Sequence, residues 1–354
     1  MLRCRGPPHN VRWARRLLKR LMQIVLTFNP TSGKGHAREN VKLIAEALEA
    51  TSHRIRVVET EPSDAKIWLL PKLADCDLLL VFGGDGTVLL VLDAVLDAGV
   101  PIFHVPEGTE NLFARGFGMS ANPERVAAAV SRFKQVKMDV GKANGQRFLL
   151  MASLGFDAEV VHDLAARRRG PISHLSYVGP MLRQFFKWKP PRLSVVIDGQ
   201  DLLAESIADC GGQENGQTNE QGSPLSVTGR RGFVIVANSR CYALGLNPAP
   251  SASMIDGQLD VIFVPVKRSW SVLWFLLLGM LGCLHRSSRV CVGKGRCIQV
   301  CATCSQHVQL DGDPATETDS GKNQGNQHAW QLNVSVEAGA LSVVVPLEAD
   351  TLPI

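Results

Sequence analysis

From Gln23 to Met138 the chain alternates short apolar runs with stretches of helical period, and few folds accommodate that rhythm. Ile24–Phe28, Ile55–Glu59, Leu78–Phe82 and Ile102–Val105 read as strands. Between them Val41, Ile44, Ala45 and Leu48 recur at i, i+3, i+4 and i+7, and Asp64–Leu73 and Val88–Ala98 read as further helices. Strands separated by helices pair in parallel through crossovers, so the pattern predicts an open, largely parallel sheet covered on both faces. Beyond Met138 the rhythm changes. Phe148–Ala152, Leu193–Ile197, Phe233–Ala237, Leu259–Val264, Cys297–Cys301, Val334–Val336 and Leu341–Val345 are short β-like runs parted by turn residues, which predicts an antiparallel β-sandwich. Two helical stretches, Ile172–Trp188 and Ser269–Leu284, interrupt it, and polar segments near 209–231 and 315–327 read as loops. A chain of 354 residues can bury two such cores. The expected division is a basic extension over 1–21, an α/β domain over 22–138 and a sandwich over 139–354.

The net charge of +5 is unevenly placed. Arg3, Arg5, Arg12, Arg15, Arg16, Lys19 and Arg20 crowd the first twenty positions, which hold no acid, while the remaining 31 basic and 33 acidic groups leave the body at −2. That balance excludes a nucleic-acid binder recognised by net charge. The basic start suits a membrane-surface arm, a targeting segment or an upstream extension, since Met22 directly precedes the first strand. The longest apolar run, Trp270–Leu284, falls short of the ~18 residues of a membrane span. Nine unevenly spread cysteines fit reduced thiols better than a disulfide framework, so the expected location is cytoplasmic. Cys297, Cys301 and Cys304 have the spacing of iron–sulfur ligands but lie on alternating strand text, which turns odd-spaced side chains to opposite faces; no metal is assigned to them.

The strongest local signal is Leu78–Phe82 running into Gly83-Gly84-Asp85-Gly86-Thr87 before a helix. Glycines there let backbone approach a ligand, and the helix start behind them offers N–H groups to phosphate oxygens. Asn29-Pro30-Thr31-Ser32-Gly33-Lys34-Gly35 follows the first strand, and Glu107-Gly108-Thr109-Glu110-Asn111 follows the fourth. Three such loops at the carboxyl ends of parallel strands converge where open sheets bind ligands, and none matches the Walker A spacing.

In this order the three motifs resemble the diacylglycerol kinase catalytic-domain family, which includes bacterial lipid kinases and sphingosine kinases. The resemblance continues through Ser153-Leu154-Gly155-Phe156-Asp157-Ala158, Tyr177, Asn247-Pro248-Ala249, Asp256-Gly257-Gln258-Leu259-Asp260-Val261 and Val308-Gln309-Leu310-Asp311-Gly312-Asp313, spanning Gln23 to Val345. It implies an α/β nucleotide-binding domain of the NAD-kinase and diacylglycerol-kinase type, an antiparallel β-sandwich after it, and transfer of the ATP γ-phosphoryl group to a lipid hydroxyl. By position it implies nucleotide contacts from Ser32, Gly33, Lys34, Gly35, Thr60, Gly83, Gly84, Asp85, Gly86, Thr87 and Thr109. It further implies Mg2+ held by Asp256 with the carbonyls of Leu259 and Val261, and Asp313 as proton acceptor, with Asp311 and Asp85 in the catalytic set. Asp157 is the candidate for ordering water, metal or headgroup. Phosphoryl transfer needs such clamps and a carboxylate at the attacking hydroxyl. The implied partner is a lipid substrate at a membrane surface, not nucleic acid, and a homodimer stays open.

Three positions depart from the family pattern. Glu110 replaces the second glycine of Gly-Thr-Gly-Asn and repels phosphate unless magnesium or Arg115 offsets it. Val88 stands where an Asn is common. Asp313 is one methylene shorter than the family's Glu, setting the base back by about 1 Å, a displacement that can cost ~10²-fold in rate. A member that binds without turnover is therefore one alternative. An NAD kinase, which shares the Gly-Gly-Asp-Gly-Thr-x-Leu loop, is another; Glu107–Arg115 and Asp311-Gly312-Asp313 favour the lipid kinase. Around Ile172–Trp188, Arg167-Arg168-Arg169, Arg183, Lys187 and Lys189 accompany Tyr177, Phe185, Phe186 and Trp188. No acid occurs from Val261 to Leu310, where Lys267, Arg268, Arg286, Arg289, Lys294 and Arg296 flank the second apolar helix. Both helices suit either an anionic lipid interface or a buried core.

Overall fold

The computed structural model describes residues 21–30, 32, 37–167, 174–203, 229–267, 270–281, 283–316 and 330–346. Most of the two polar segments, together with Gly33, Lys34, Gly35, Arg168 and Arg169, lie outside them.

The first unit takes the described residues from 21 to 137 and from 341 to 346; residues 1–20 of the basic extension lie outside them. Its elements are β1 Gln23–Phe28, α1 Ala37–Glu49, β2 Arg54–Glu59, α2 Ala65–Trp68, β3 Leu78–Gly83, α3 Asp85–Ala98, β4 Ile102–Pro106, α4 Leu112–Phe117 and α5 Pro123–Arg132. All six residues of β3 are buried, as a central parallel strand requires. β1 pairs in parallel with β2 on one side and β3 on the other, and β3 pairs with β4, giving the order 2-1-3-4. The winding direction reverses between β1 and β3, which is where open sheets of this kind leave a crevice at their carboxyl edge. The expected helix Asp64–Leu73 is broken: Asp64 caps it by accepting from the N–H of Lys66 at 2.9 Å, but Pro71 disfavours α-backbone before it, and a 3₁₀ turn over Leu70–Leu73 replaces the second half.

The second unit takes the described residues from 138 to 340. Its strands begin with β5 Gln135–Ala143, which enters from the first unit, and continue through β6 Gln146–Phe148, β7 Met151–Leu154, β8 Arg192–Ile197, β9 Gln200–Asp201, β10 Arg230–Ala237 and β11 Leu259–Pro265. They end with β12 Cys291–Gly295, β13 Cys297–Ala302, β14 Val308–Leu310, β15 Asp313–Pro314 and β16 Trp330–Val344. The helices are α6 Phe156–Arg167, α7 Val178–Lys187 and α8 Trp270–Met280. One antiparallel sheet runs β15-β14-β7-β10-β11-β12. The other runs β9-β8-β13-β16-β5-β6, and Arg230 and Arg231 at the start of β10 pair with Leu193 and Arg192 of β8, joining the two at one edge. Alternate residues of both, among them Val234, Phe263, Val195 and Val300, meet in one buried core, which is the predicted sandwich. The opposite face of β10 and β11 packs through Phe233, Ile235, Ile262 and Val264 against Phe156, Phe185, Val272 and Phe275 of the three helices.

Three hairpins turn on Asn144-Gly145, Asp198-Gly199 and Asp311-Gly312, where both residues have positive φ (45°/91°, 48°/85° and 52°/89°). Both central residues of a type I′ turn must be left-handed, and Asn or Asp followed by Gly tolerates this best. Val334–Val336 and Leu341–Val345, expected as two sandwich strands, form the single strand β16 instead. Trp330–Ser335 pair with β13, whereas Val343 pairs in parallel with Ile102 of β4, so 341–344 belong to the first unit rather than to the sandwich. Gly339 (φ 59°) is a lone left-handed residue there; it bends a strand without reversing it.

Candidate active site

In the first unit the parallel strand order sets the predicted nucleotide loops on one edge: Ser32 after β1, Thr60 after β2, Gly83 to Thr87 after β3 and Thr109 after β4. The β3 and β4 loops touch backbone to backbone. A Cβ on Gly108 would lie 2.7 Å from Gly84 Cα and 2.8 Å from Asn111 Oδ1, so that contact excludes a side chain at Gly108. Asn111 (φ 49°) closes the β4 loop with its side chain, accepting from the Gly108 N–H and donating to the Gly108 carbonyl, both at 2.8 Å. Arg115 Nη1 lies 3.4 Å from Glu110 Oε2, the offset anticipated for the acid that replaces a glycine. Glu107 accepts from Asn40 Nδ2 at 2.6 Å. Gly86 is exposed and Thr87 buried.

Asp85 occupies both carboxylate oxygens with backbone: Oδ2 accepts from Leu112 N at 2.8 Å and Oδ1 from Phe113 N at 2.9 Å. It caps the start of α4 and ties the β3 loop to the β4 loop, which makes it a positioning group for those loops. His104, which the sequence reading missed, is fully buried, with Nε2 2.8 Å from the Gly83 carbonyl and its ring edge against Phe113. Burial pulls its imidazole below the ordinary histidine range, while the Gly83 carbonyl and Asp85 oppose that shift.

In the second unit Asp311 plays the part that Asp85 plays in the first. Oδ2 accepts from Leu149 N at 2.6 Å, and Oδ1 from Leu150 N and Met151 N at 2.8 and 2.9 Å. These bonds make it a clamp that seats the β14–β15 turn on the start of β7. Asp313, two residues on, is exposed at the head of β15, opposite Leu310. Beside this turn a one-way hydrogen-bond chain runs inward. The Gly312 N–H donates to Gln309 Oε1 at 2.7 Å, Gln309 Nε2 donates to Ser153 Oγ at 2.8 Å, and Ser153 Oγ donates to Asp157 Oδ2, which also accepts from Tyr242 Oη at 2.7 Å. Asp157 Oδ1 is buried without a partner. Burial pushes the Asp157 carboxyl up, against the hydrogen bonds from Ser153 and Tyr242, and burial together with Asp157 pushes the Tyr242 phenol well above its ordinary range. Gln309, quoted only as part of the Val308–Asp313 motif, and Tyr242 were given no role from sequence, because their partners are 156 and 85 residues away.

The expected magnesium position fits a metal poorly. Asp256 Oδ1 accepts from Gln258 N at 3.0 Å, and its Oδ2 lies 2.7 Å from Lys294 Nζ, which is also 3.1 Å from Asp260 Oδ2. Burial of Lys294 works against its charge, yet the hydrogen bond it donates to Asp256 and its ion pair with Asp260 hold it above the ordinary lysine range. Leu259 and Val261, the other expected ligands, pair with Gly295 and Gly293 in the β11–β12 ladder. Among the described residues no group of three His, Cys, Asp or Glu side chains could hold a metal ion.

With this geometry in hand, comparison with known proteins gives a consistent result. The model of the diacylglycerol kinase catalytic domain matches residues 23–143, and that of the YegS C-terminal NAD kinase beta sandwich-like domain matches residues 151–345. A diacylglycerol kinase of Mycobacterium tuberculosis is 29% identical over 246 residues, covering 66% of this chain and 70% of its own length. A Pseudomonas fluorescens protein named "probable lipid kinase YegS-like" is 26% identical over 327 residues, covering 90% and 95%. The crystal structure of a diacylglycerol kinase from Bacillus anthracis superposes with a TM-score of 0.62 at 18% identity, over 93% of this chain and 99% of that one, which supports the fold. The two matching domain models, in the order that the two folded units follow, place this chain in the diacylglycerol kinase family.

Proposed function

We propose that the protein is an ATP-dependent kinase that phosphorylates the hydroxyl of a lipid alcohol, diacylglycerol or one like it. The observation that carries this reading is the Asp311-Gly312-Asp313 turn, in which Asp311 spends its charge on three backbone N–H groups and leaves Asp313 exposed beside it. A base must be held in register with the proton it takes, and a clamped two-residue turn does that with little freedom. In the proposed step the acceptor oxygen forms a bond to the γ-phosphorus, the bond from that phosphorus to the β–γ bridging oxygen breaks, ADP leaves, and Asp313 receives the hydroxyl proton. The loops holding Ser32, Gly84, Gly86, Thr87 and Thr109 bind and orient the phosphates. Mg2+, brought with the nucleotide, would neutralise phosphate charge. Incubating the full-length protein with labelled ATP and a panel of lipid alcohols in mixed micelles tests the reading. Labelled lipid that disappears with Asp313→Ala is the expected result; NADP formation, or no labelled lipid at all, overturns it.

The lipid partner would be met at an anionic membrane surface. The helix α7 buries Phe185 but exposes Val178, Leu182 and Phe186, and α8 buries Val272 and Phe275 but exposes Leu273, Trp274, Leu277 and Met280. The two sequence alternatives thus coexist, one on each face. Lys187, Lys189, Lys267, Arg286 and Arg289 are exposed around them, and charge complementarity selects an anionic bilayer over a neutral one. Among the described residues no helix is long and apolar enough to cross a membrane. Arg183, by contrast, is paired with Asp163 at 2.7 Å, and Lys294 is turned to Asp256 and Asp260.

A further inference from the structure

We infer that Lys294 is a tethered cation that fills the position where Asp256 and its neighbours were expected to hold a metal ion. Lys294 stands between Gly293 and Gly295 on β12. The glycines face β8 and the hairpin after it: a Cβ on Gly293 would lie 2.6 Å from Ile197 Cδ1 and 2.9 Å from Leu202 Cδ1, and one on Gly295 would lie 2.6 Å from Asp198 Oδ2. Strand alternation therefore sends Lys294 to the other face, directly opposite Asp260 in the β11–β12 ladder. There Nζ lies 2.7 Å from Asp256 Oδ2, 3.1 Å from Asp260 Oδ2 and 3.4 Å from the Ser251 carbonyl.

Two carboxylates and a carbonyl converging on one point are the ligand chemistry of a hard divalent cation. The Asp260 side chain is only 3% exposed, and its other oxygen accepts from Ser251 Oγ at 2.6 Å. A carboxylate buried that far needs a positive partner. Lys294 supplies it from within the chain, and an ion bound to the same oxygens at about 2.0–2.6 Å would collide with the ammonium and be repelled by it. The second unit accordingly needs no divalent ion here, and any metal requirement of the chemistry belongs to the nucleotide. This inference stands whether or not the protein is a lipid kinase, because its readout is bound metal.

The test uses the full-length protein, stripped of metal, without nucleotide, and dialysed against Mn2+ as the probe, with bound metal counted by elemental analysis. Wild type and Asp256→Asn should bind the same amount of Mn2+. Lys294→Met should gain about one ion per chain, and adding Asp256→Asn to that variant should remove it. A wild-type protein that holds an ion lost on Asp256→Asn overturns the inference, and so does a folded Lys294→Met protein that gains none. If Lys294→Met is not recovered folded, the comparison of wild type with Asp256→Asn decides.

Discussion

Replacing Asp311 with Ala should cost stability, whereas replacing Asp313 with Ala should cost activity alone. The Asp311 carboxylate receives three N–H groups at 2.6, 2.8 and 2.9 Å, from Leu149, Leu150 and Met151, whose residues are buried. Each buried donor left without an acceptor costs about 1–3 kcal/mol, so truncation removes on the order of 3–6 kcal/mol once water reaches some of them. Ala at φ 52° adds about 1 kcal/mol of backbone strain. For a unit of about 200 residues, each kcal/mol moves the midpoint by ~2–4 °C, so a fall in Tm on the order of 10 °C is expected. Asp311→Asn tolerates the same backbone and keeps one acceptor oxygen, and should lie between wild type and Ala. Asp313, exposed at the strand head, should lose far less stability on truncation than Asp311. Urea unfolding followed by circular dichroism, alongside the labelled-lipid assay, separates the two. Equal stability of Asp311→Ala and wild type, or equal destabilisation by the two substitutions, would refute the division of roles.

Three further outcomes are expected. Asp157 has a raised folded pKa, so its contribution to stability is full below the unfolded value of about 3.9 and is lost as pH rises through the folded value; Asp157→Asn should therefore gain on wild type between about pH 4 and pH 8, measured by denaturant midpoints. His104 has a lowered folded pKa, so its contribution is full above about 6.5 and falls as pH drops toward the folded value. The stability advantage of wild type over His104→Gln should shrink from about pH 7.5 to pH 5, and an advantage that grows on acidification would contradict the assignment. Phe186→Asp and Trp274→Asp, at side chains 78% and 54% exposed, should weaken co-sedimentation with phosphatidylglycerol vesicles while leaving the thermal midpoint within about 2 °C of wild type. Equal binding to phosphatidylcholine vesicles, or salt-insensitive binding, would argue against a charged bilayer as the partner.

Much of the architecture was legible from local pattern. The strands of the parallel sheet and most of the long strands of the sandwich appear where their apolar runs predict, because a buried strand announces itself within a few residues, whereas the expected run Phe148–Ala152 is divided between β6 and β7. The helices α4, α5 and α6 and the strands β5, β12 and β14 escaped; α4 is only six residues long, β14 only three, and β12 is built around two glycines with little apolar period. The three left-handed hairpins could have been found from Asn144-Gly145, Asp198-Gly199 and Asp311-Gly312 alone. The surroundings of the acids were not legible from motif. Asp85, Asp311 and Asp256 look alike in sequence as loop carboxylates, but each is committed to a partner whose position no local rule reveals.

The order of amino acids by itself determined the two kinds of unit, the edge on which the glycine loops gather and the family those loops resemble, because hydrophobic period and backbone permissiveness act over distances of a few residues. Only the tertiary structure decided what each carboxylate does. Asp311 meets backbone donors 160 to 162 positions before it, Asp256 meets Lys294 38 positions after it, and the last strand returns residues 341–344 to the first unit. A carboxylate's role depends on whether donors, an ammonium or solvent surround it, and the packing of distant segments sets those surroundings.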